Sequence, residues 1–297
     1  MTNQGKAYAY GLMTVLLWST VASAFKLSLA HMDHLQLLFY SCIFSTLTLF
    51  GVLAAQGGIG RLLAFSRREW AVSAAFGLLN PFLYYVILFK AYDLLPAQEA
   101  QPLNYTWAVT LALLSIPLLG QRLSLKDLAA ILVSYSGVVV ISTRGKLTDM
   151  TFSDPLGVAL ALGSTIVWAL YWIYNTRDGR DPVAGLTANF LFGTVYVTAA
   201  TLALSSPVVG DVRGILGAAY VGVFEMGITF VLWLRALKLT SSAAKVGNLI
   251  FISPFLSLVL IHLLVGEEIR SSTIVGLVFI MAGIALQQYR PRRTRTA

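Results

Sequence analysis

The chain has 297 residues, of which 57% are hydrophobic and 11% charged, with a formal net charge of +8. Soluble domains carry about 25% charged residues, and a soluble fold of this size has too little interior to hide so much apolar surface. The composition makes the lipid bilayer the solvent and excludes an ordinary soluble enzyme.

Apolar runs of about 20 residues cross a hydrocarbon core about 30 Å thick. Ten follow one another, at about 5–28, 34–56, 69–93, 96–119, 125–143, 155–176, 183–205, 212–237, 241–264 and 271–289. They occupy nearly the whole chain and leave no extramembrane domain. The first run, with Lys6 at its start and Ala22-Ser23-Ala24 near its end, imitates a secretory signal; we read it as a retained span. The third carries Asn80-Pro81 near its middle, and the fourth carries Glu99, Gln101, Pro102 and Asn104. Ser124 to Asp127 resembles a capping box for the fifth span. The apolar pattern breaks near 144–153, which separates a first repeat, 1–146, from a second, 147–297. Asp154-Pro155 and Asp181-Pro182 each pair an N-cap with a preorganised first turn, so they open the sixth and seventh spans. The eighth span holds Glu225 near its middle, and the ninth holds Lys245, Gly247, Asn248 and His262. Small residues seven apart, Ala130 and Gly137 in the fifth span and Gly276 and Gly283 in the tenth, place packing faces on the last helix of each half. A dimerisation face is the sharper alternative.

The two halves echo each other. Gly120-Gln121 aligns with Gly266-Glu267, and Gly137 with Gly283, 146 positions on; Trp18 meets Trp168, 150 on. Five spans per half is an odd number, so the second copy enters the membrane from the opposite side. That is the inverted-repeat plan of many secondary transporters. With the N-terminus inside, basic residues divide 14 to the inner face against 6 to the outer. The positive-inside rule then puts both termini in the cytoplasm, and the tail Arg290-Pro291-Arg292-Arg293 becomes a topology anchor on membrane lipid rather than a nucleic-acid site.

Polar groups deep in a span are costly and so mark candidate sites. Asn80 and Glu225, 145 residues apart, fall on equivalent positions of the two halves. The functional reading is a substrate or proton site near the midplane; the plainer one is a polar side chain bonded to a neighbouring helix. Pro102 corresponds to Gly247, with Gln101, Asn104 and Asn248 beside them, and interrupted helices in matching positions point to a binding site. Trp18, Tyr84, Tyr105, Trp107, Trp168 and Trp172 lie deep enough to form an aromatic cavity wall, ordinary packing being the alternative. Trp70 and Trp233 sit near span ends and read as interfacial belt. Lys26, Lys90 and Arg235 read as span-end markers, Glu99 as a helix-dipole partner, and His262 as a packed or hydrogen-bonded histidine. The one cysteine, Cys42, is an apolar packing residue, and the sequence has neither a nucleotide-binding loop nor a zinc or nucleophile-elbow motif. No cofactor, metal or catalytic residue is expected.

The stretch from Gly11 through Leu17-Trp18-Ser19 to Lys26 resembles the first helix of the EamA-type transporters of the drug/metabolite transporter superfamily. Pro254, Gly266-Glu267 and Gly283 resemble the family's second-half pattern; Gln121 stands where an acid is usual, and Ala108 where the first half would match Pro254. The resemblance covers essentially the whole chain, and the aromatic-rich spans are most similar to the bacterial aromatic amino acid exporters of this group. It implies an all-α integral membrane protein of the bacterial inner membrane, with ten transmembrane helices as two inverted five-helix repeats around a central cavity. The expectation is a secondary transporter exporting aromatic amino acids or similar small amphipathic metabolites by alternating access. Its rivals are a multidrug or organic-cation exporter using Glu225, and, from other classes, an intramembrane enzyme or a non-transporting membrane protein.

Overall fold

A computed structural model describes residues 2–119, 125–148, 152–175, 177–240 and 248–288. Among them all regular structure is helical. In chain order the helices are α1 (Asn3–Leu29), α2 (His34–Ala55), a short α3 (Ile59–Leu63), α4 (Arg67–Leu94), α5 (Ala97–Tyr105), α6 (Trp107–Leu119), α7 (Leu125–Ser142), α8 (Pro155–Asn175), α9 (Pro182–Leu204), α10 (Val212–Leu239), α11 (Ser253–Val265) and α12 (Ser271–Gln288). Six of these, α1, α2, α4, α8, α9 and α10, are long and apolar enough to cross a membrane; parts of α7, α11 and α12 form shorter apolar helices. The protein is a multi-pass membrane protein.

Helix starts follow the capping chemistry of the sequence. Asp33 accepts from the backbone N–H groups of Leu35 and Gln36 at 2.8 and 2.9 Å while Gln36 reaches back to Asp33 N–H, a closed capping box at the start of α2. Asp154 accepts from Gly157 N–H at 2.7 Å, and Asp181 from Val183 and Ala184 at 3.1 and 3.0 Å, so both Asp-Pro pairs open helices as expected. Ser124 lies outside the described residues. Gly266 adopts φ +78°, which only glycine takes without a Cβ penalty, and ends α11.

The helix interruptions are more specific than the sequence suggests. The fourth apolar run divides into α5 and α6 at Thr106, four residues after Pro102. In α4 the backbone widens into a π segment at Leu78–Leu83, where Asn80 leaves helical geometry (φ −143°, ψ 119°). In α10 a π segment covers Val221–Ile228. Asn80 and Glu225 therefore each sit in a widened turn, 145 positions apart. Widened turns free carbonyls, and in lipid those must find donors inside the protein. Ser45 on α2 supplies one, donating to Met226 O at 2.8 Å, and Ser41 donates to Ala218 O at 3.1 Å just before the widened segment. Thr229 donates to Phe224 O and Glu225 O. Close approach needs glycine: a Cβ on Gly222 would stand 2.4 Å from Ser41 O.

Packing pairs helices across the two halves. α1 lies against α10 and α11, α2 against α9 and α10, α4 against α8 and α9, and α7 against α12. The α7/α12 contact is the small-residue seam seen in the sequence. A Cβ on Gly137 would meet Gly276 O at 2.4 Å, and one on Gly283 would meet Ala130 O at 2.6 Å. The faces that suggested a dimer are used within the chain.

Polar contacts tie the bundle at both ends. At the end where α1 begins, Arg61 pairs with Asp181 at 2.9 Å, and Arg180 pairs with Asp178 at 2.6 Å while donating to Ser73 Oγ. At the far end, Lys26 Nζ donates to Tyr92 O and Leu95 O, one in the last turn of α4 and one just past its end.

Candidate functional site

A cavity of about 450 Å³ lies between the cross-packed helices. α1 brings Trp18 and Phe25; α4 brings Tyr84, Leu88 and Tyr92; α5 and α6 bring Gln101, Asn104, Tyr105 and Trp107. α8 contributes Trp168 and Trp172, and α10 contributes Glu225, Phe230 and Trp233. α7 and α12 contribute none of the described lining residues. The volume suits a small organic molecule, as ligand pockets run from about 300 to 1,000 Å³.

The wall is an aromatic lattice. Tyr84 stacks on Trp168 with centroids 4.5 Å apart, and Trp168 meets Trp172 edge-on at 5.8 Å and Phe230 at 6.0 Å. Trp18 packs on Trp233 at 5.5 Å. Offset and edge-on geometry at these separations is the favoured arrangement of ring quadrupoles, so the wall is rigid as well as apolar. Trp168 and Trp172, four apart on α8, share the helix face that the 3.6-residue period predicts.

Few polar atoms interrupt this wall. Asn104 accepts from Tyr84 OH at 3.3 Å and donates to Ser164 at 3.0 Å. Glu225 Oε1 accepts from Tyr85 OH at 3.2 Å. Glu225 Oε2 is shielded from solvent and has no hydrogen-bond donor, and the same holds for Gln101 Oε1. Among the described residues, no group of three or more His, Cys, Asp or Glu side chains converges as a metal site.

Two layers of side chains lie across the bundle at the far end of the cavity. Phe25 packs on Phe89 at 4.6 Å and on Tyr92 at 5.2 Å. Above these rings Glu99, with a side chain 1% exposed, pairs with Arg144 at 2.9 Å and Arg270 at 2.5 Å and accepts from Ser153. Glu267, placed by the left-handed turn at Gly266, accepts from the N–H groups of Ala97 and Gln98 at 2.8 and 3.1 Å. A carboxylate there satisfies free donors and complements the helix dipole of α5. One short motif thus ends α11 and caps α5.

The structure gathers Trp18, Tyr84, Gln101, Tyr105, Trp107, Trp168, Trp172 and Glu225 around one cavity. Asn80 is separate: it is fully buried and faces the hydroxyl of Tyr171, away from the lining. Position in the repeat gave Asn80 the depth of Glu225, but the kink at Asn80-Pro81 turns the side chain elsewhere. Asn248 begins a 3-10 turn, Asn248–Ile252; its side chain, together with Lys245 and Gly247, lies outside the described residues, as do Gly120 and Gln121 and the tail from 289 to 297. Trp233 corrects an expectation. Rather than marking the interfacial belt, it is 8% exposed and lines the cavity. Lying eight residues from Glu225, it shares that residue's helix face, a signal that outweighs nearness to the span end. Glu99 is more than a dipole partner, since two arginines that are remote in sequence converge on it. His262 is hydrogen-bonded, its Nδ1 3.0 Å from Glu267 O. Phe25, Tyr92 and Phe230 are lining residues that the sequence reading missed; each lies one or two helical turns from a candidate on the same helix.

The EamA-like transporter family pattern matches residues 5–143 and again 155–287. An uncharacterised transporter of Clostridium kluyveri is 25% identical over 287 residues, covering 94% of this chain and 91% of its own. The aromatic amino acid exporter YddG of Ancylobacter novellus is 26% identical over 295 residues, covering 98% and 100%. A protein crystal structure superposes with a TM-score of 0.69 over 96% of each chain at 22% identity, a likeness of fold.

Proposed function

The chain belongs to the EamA-like transporter family, and on that premise we propose that it is a secondary transporter exporting aromatic amino acids or similar small amphipathic molecules. The observation that carries this reading is the cavity: a rigid aromatic wall with a single carboxylate, Glu225, and two amides. A flat ring buries large area against such a wall, while the few polar groups fix the orientation of its head group. The name of the Ancylobacter relative supports the aromatic class. In this proposal two inverted five-helix halves alternate access to the cavity across a bacterial inner membrane, with both termini cytoplasmic. The structure then corresponds to a state closed at the far end by Phe25, Phe89 and Tyr92 and by the Glu99 cluster.

Counterflow in proteoliposomes tests the reading. Vesicles preloaded with unlabelled phenylalanine, tyrosine or tryptophan should accumulate the labelled amino acid, and an aliphatic panel should not compete. Accumulation no greater than in protein-free vesicles for every aromatic compound would reject it. Chemical conversion of a substrate without flux would favour an intramembrane enzyme instead.

A further inference from the structure

We propose that the cavity recognises the protonated primary amine of an arylalkylamine, and that a carboxylate on the substrate is not needed for binding. The proposal rests on reading this cavity as the transport site, and it narrows the substrate class of that site.

The argument starts from the atoms left without partners. Glu225 Oε1 is engaged by Tyr85 OH, but Oε2 is shielded and has no donor. Gln101 Oε1, also in the lining, has none either. The oxygen and nitrogen of an amide are interchangeable assignments, so Gln101 can present either sign. Opposite an ammonium Glu225 is ionised and both its oxygens accept, so it sets the polarity of the occupied site. Leaving a buried acceptor unpaired is costly, and a ligand that donates an N–H removes that cost. An ammonium group donates and also balances charge, which makes the hydrogen bond shorter and stronger than a neutral one.

The surroundings favour the same head group. Trp18, Trp168, Trp172 and Trp233 line the same cavity as Glu225, and aromatic rings attract cations. Glu225 is the one acidic or basic side chain among the described lining residues. A substrate carboxylate thus meets no basic side chain there and stands near an acidic one. Asn104 is already held on both sides of its amide, by Tyr84 and Ser164. The amino group of an aromatic amino acid is then the element read by this site, and its carboxylate is tolerated rather than selected.

Four probes with one ring separate the contributions: phenylethylamine, phenylalanine, phenylpropionate, and phenylethylamine with its nitrogen fully methylated. Binding to the full chain in nanodiscs is followed by the fluorescence of the cavity tryptophans. Phenylethylamine should bind about tenfold or more tightly than phenylpropionate, the gain expected of one hydrogen bond to a charged group. The methylated amine, which keeps the charge and loses the N–H, should bind more weakly than the primary amine. Glu225→Gln should bring the amine down to the level of the acid. Equal binding of amine and acid by the native protein overturns the proposal, as does a methylated amine that matches the primary one. The native comparison decides even if Glu225→Gln fails to fold. Counterflow of the same probes separates the two readings. The expected binding order without flux of any probe would overturn transport and keep the recognition. Flux that prefers the acid would overturn the recognition and keep transport.

Discussion

At the scale of single residues, Trp168 is the centre of the aromatic wall, touching Tyr84, Tyr171, Trp172 and Phe230. Trp168→Ala would remove a buried side chain at about 3–5 kcal/mol and so confuse stability with binding. Trp168→Phe keeps a ring and weakens the stacking surface. Since an aromatic pair contributes about 0.5–1.5 kcal/mol beyond area, the half-saturation for aromatic substrates should rise about two- to tenfold in counterflow. The melting temperature in detergent should stay close to that of the native protein. Unchanged half-saturation would remove Trp168 from the substrate surface. Glu225→Gln is the second residue-scale prediction. A neutral amide cannot exchange a proton or pair with an ammonium, so the dependence of flux on pH across neutrality should change shape. Parallel curves of equal height would leave Glu225 as a structural residue. These residues were legible because polar and aromatic side chains at membrane depth are expensive or unusual, whatever the fold. The side to which each one faces was less legible. Asn80 matches Glu225 in depth yet faces Tyr171, because a backbone kink reorients it, and composition carries no record of the angle.

At the scale of elements, spacing was the legible signal. Small residues seven apart on α7 and α12 marked a close seam, and the seam joins those two helices to each other. Gly283→Leu should force them apart, because even a Cβ there would stand 2.1 Å from Ser134 Oγ. Overpacking of this kind costs about 1–3 kcal/mol. A lowered melting temperature with unchanged phenylethylamine affinity is expected, since α7 and α12 contribute none of the described cavity lining. An affinity loss as large as the stability loss would contradict that division. The Glu99 cluster was not legible as a unit. Glu99, Arg144 and Arg270 lie in separate loops and helix starts, and only the fold brings both guanidinium groups within 3 Å of the Glu99 carboxylate. Both arginines are more than a third exposed, at 40% and 38%, so solvent screens the pairs. Glu99→Gln should therefore cost about 1 kcal/mol rather than the several expected of a sealed pair. Its larger effect should be on access, by loosening one of the two layers that close the far end. A cysteine at Ala22, which lines the cavity and is 1% exposed, should then react faster with a membrane-impermeant reagent added from the far side. Native Cys42 is buried and gives little background. An unchanged rate would show that the cluster does not hold this end shut.

At the scale of the molecule, the polar contacts define two ends, and the repeat makes a claim about which side of the membrane each faces. The loop carrying Arg61 is tied to Asp181 at one end, while Arg144 and Arg270 meet Glu99 at the other. The helical class and the membrane setting were legible from composition and run length, because lipid leaves a chain few ways to satisfy its backbone. The way helices of the two halves interleave was not, since the sequence gives the order of helices and not their partners. Orientation rests on the distribution of charge, 14 basic residues against 6. The bias has a physical origin in the asymmetry of insertion and of the membrane surface, so it predicts sides and not only ends. Two single-cysteine variants test it. Leu63, 75% exposed in α3 beside Arg61, should be labelled from the cytoplasmic side. Leu147, 51% exposed in the segment after Arg144, should be labelled from the other. The interval between them contains the later spans of the first half, and only an odd number of crossings puts the two sites on opposite faces. Five spans per half, and with it inversion of the second copy, requires that odd number. Labelling of both cysteines from one side would give an even number, place the two halves in parallel, and remove the twofold relation on which alternating access between equivalent halves depends.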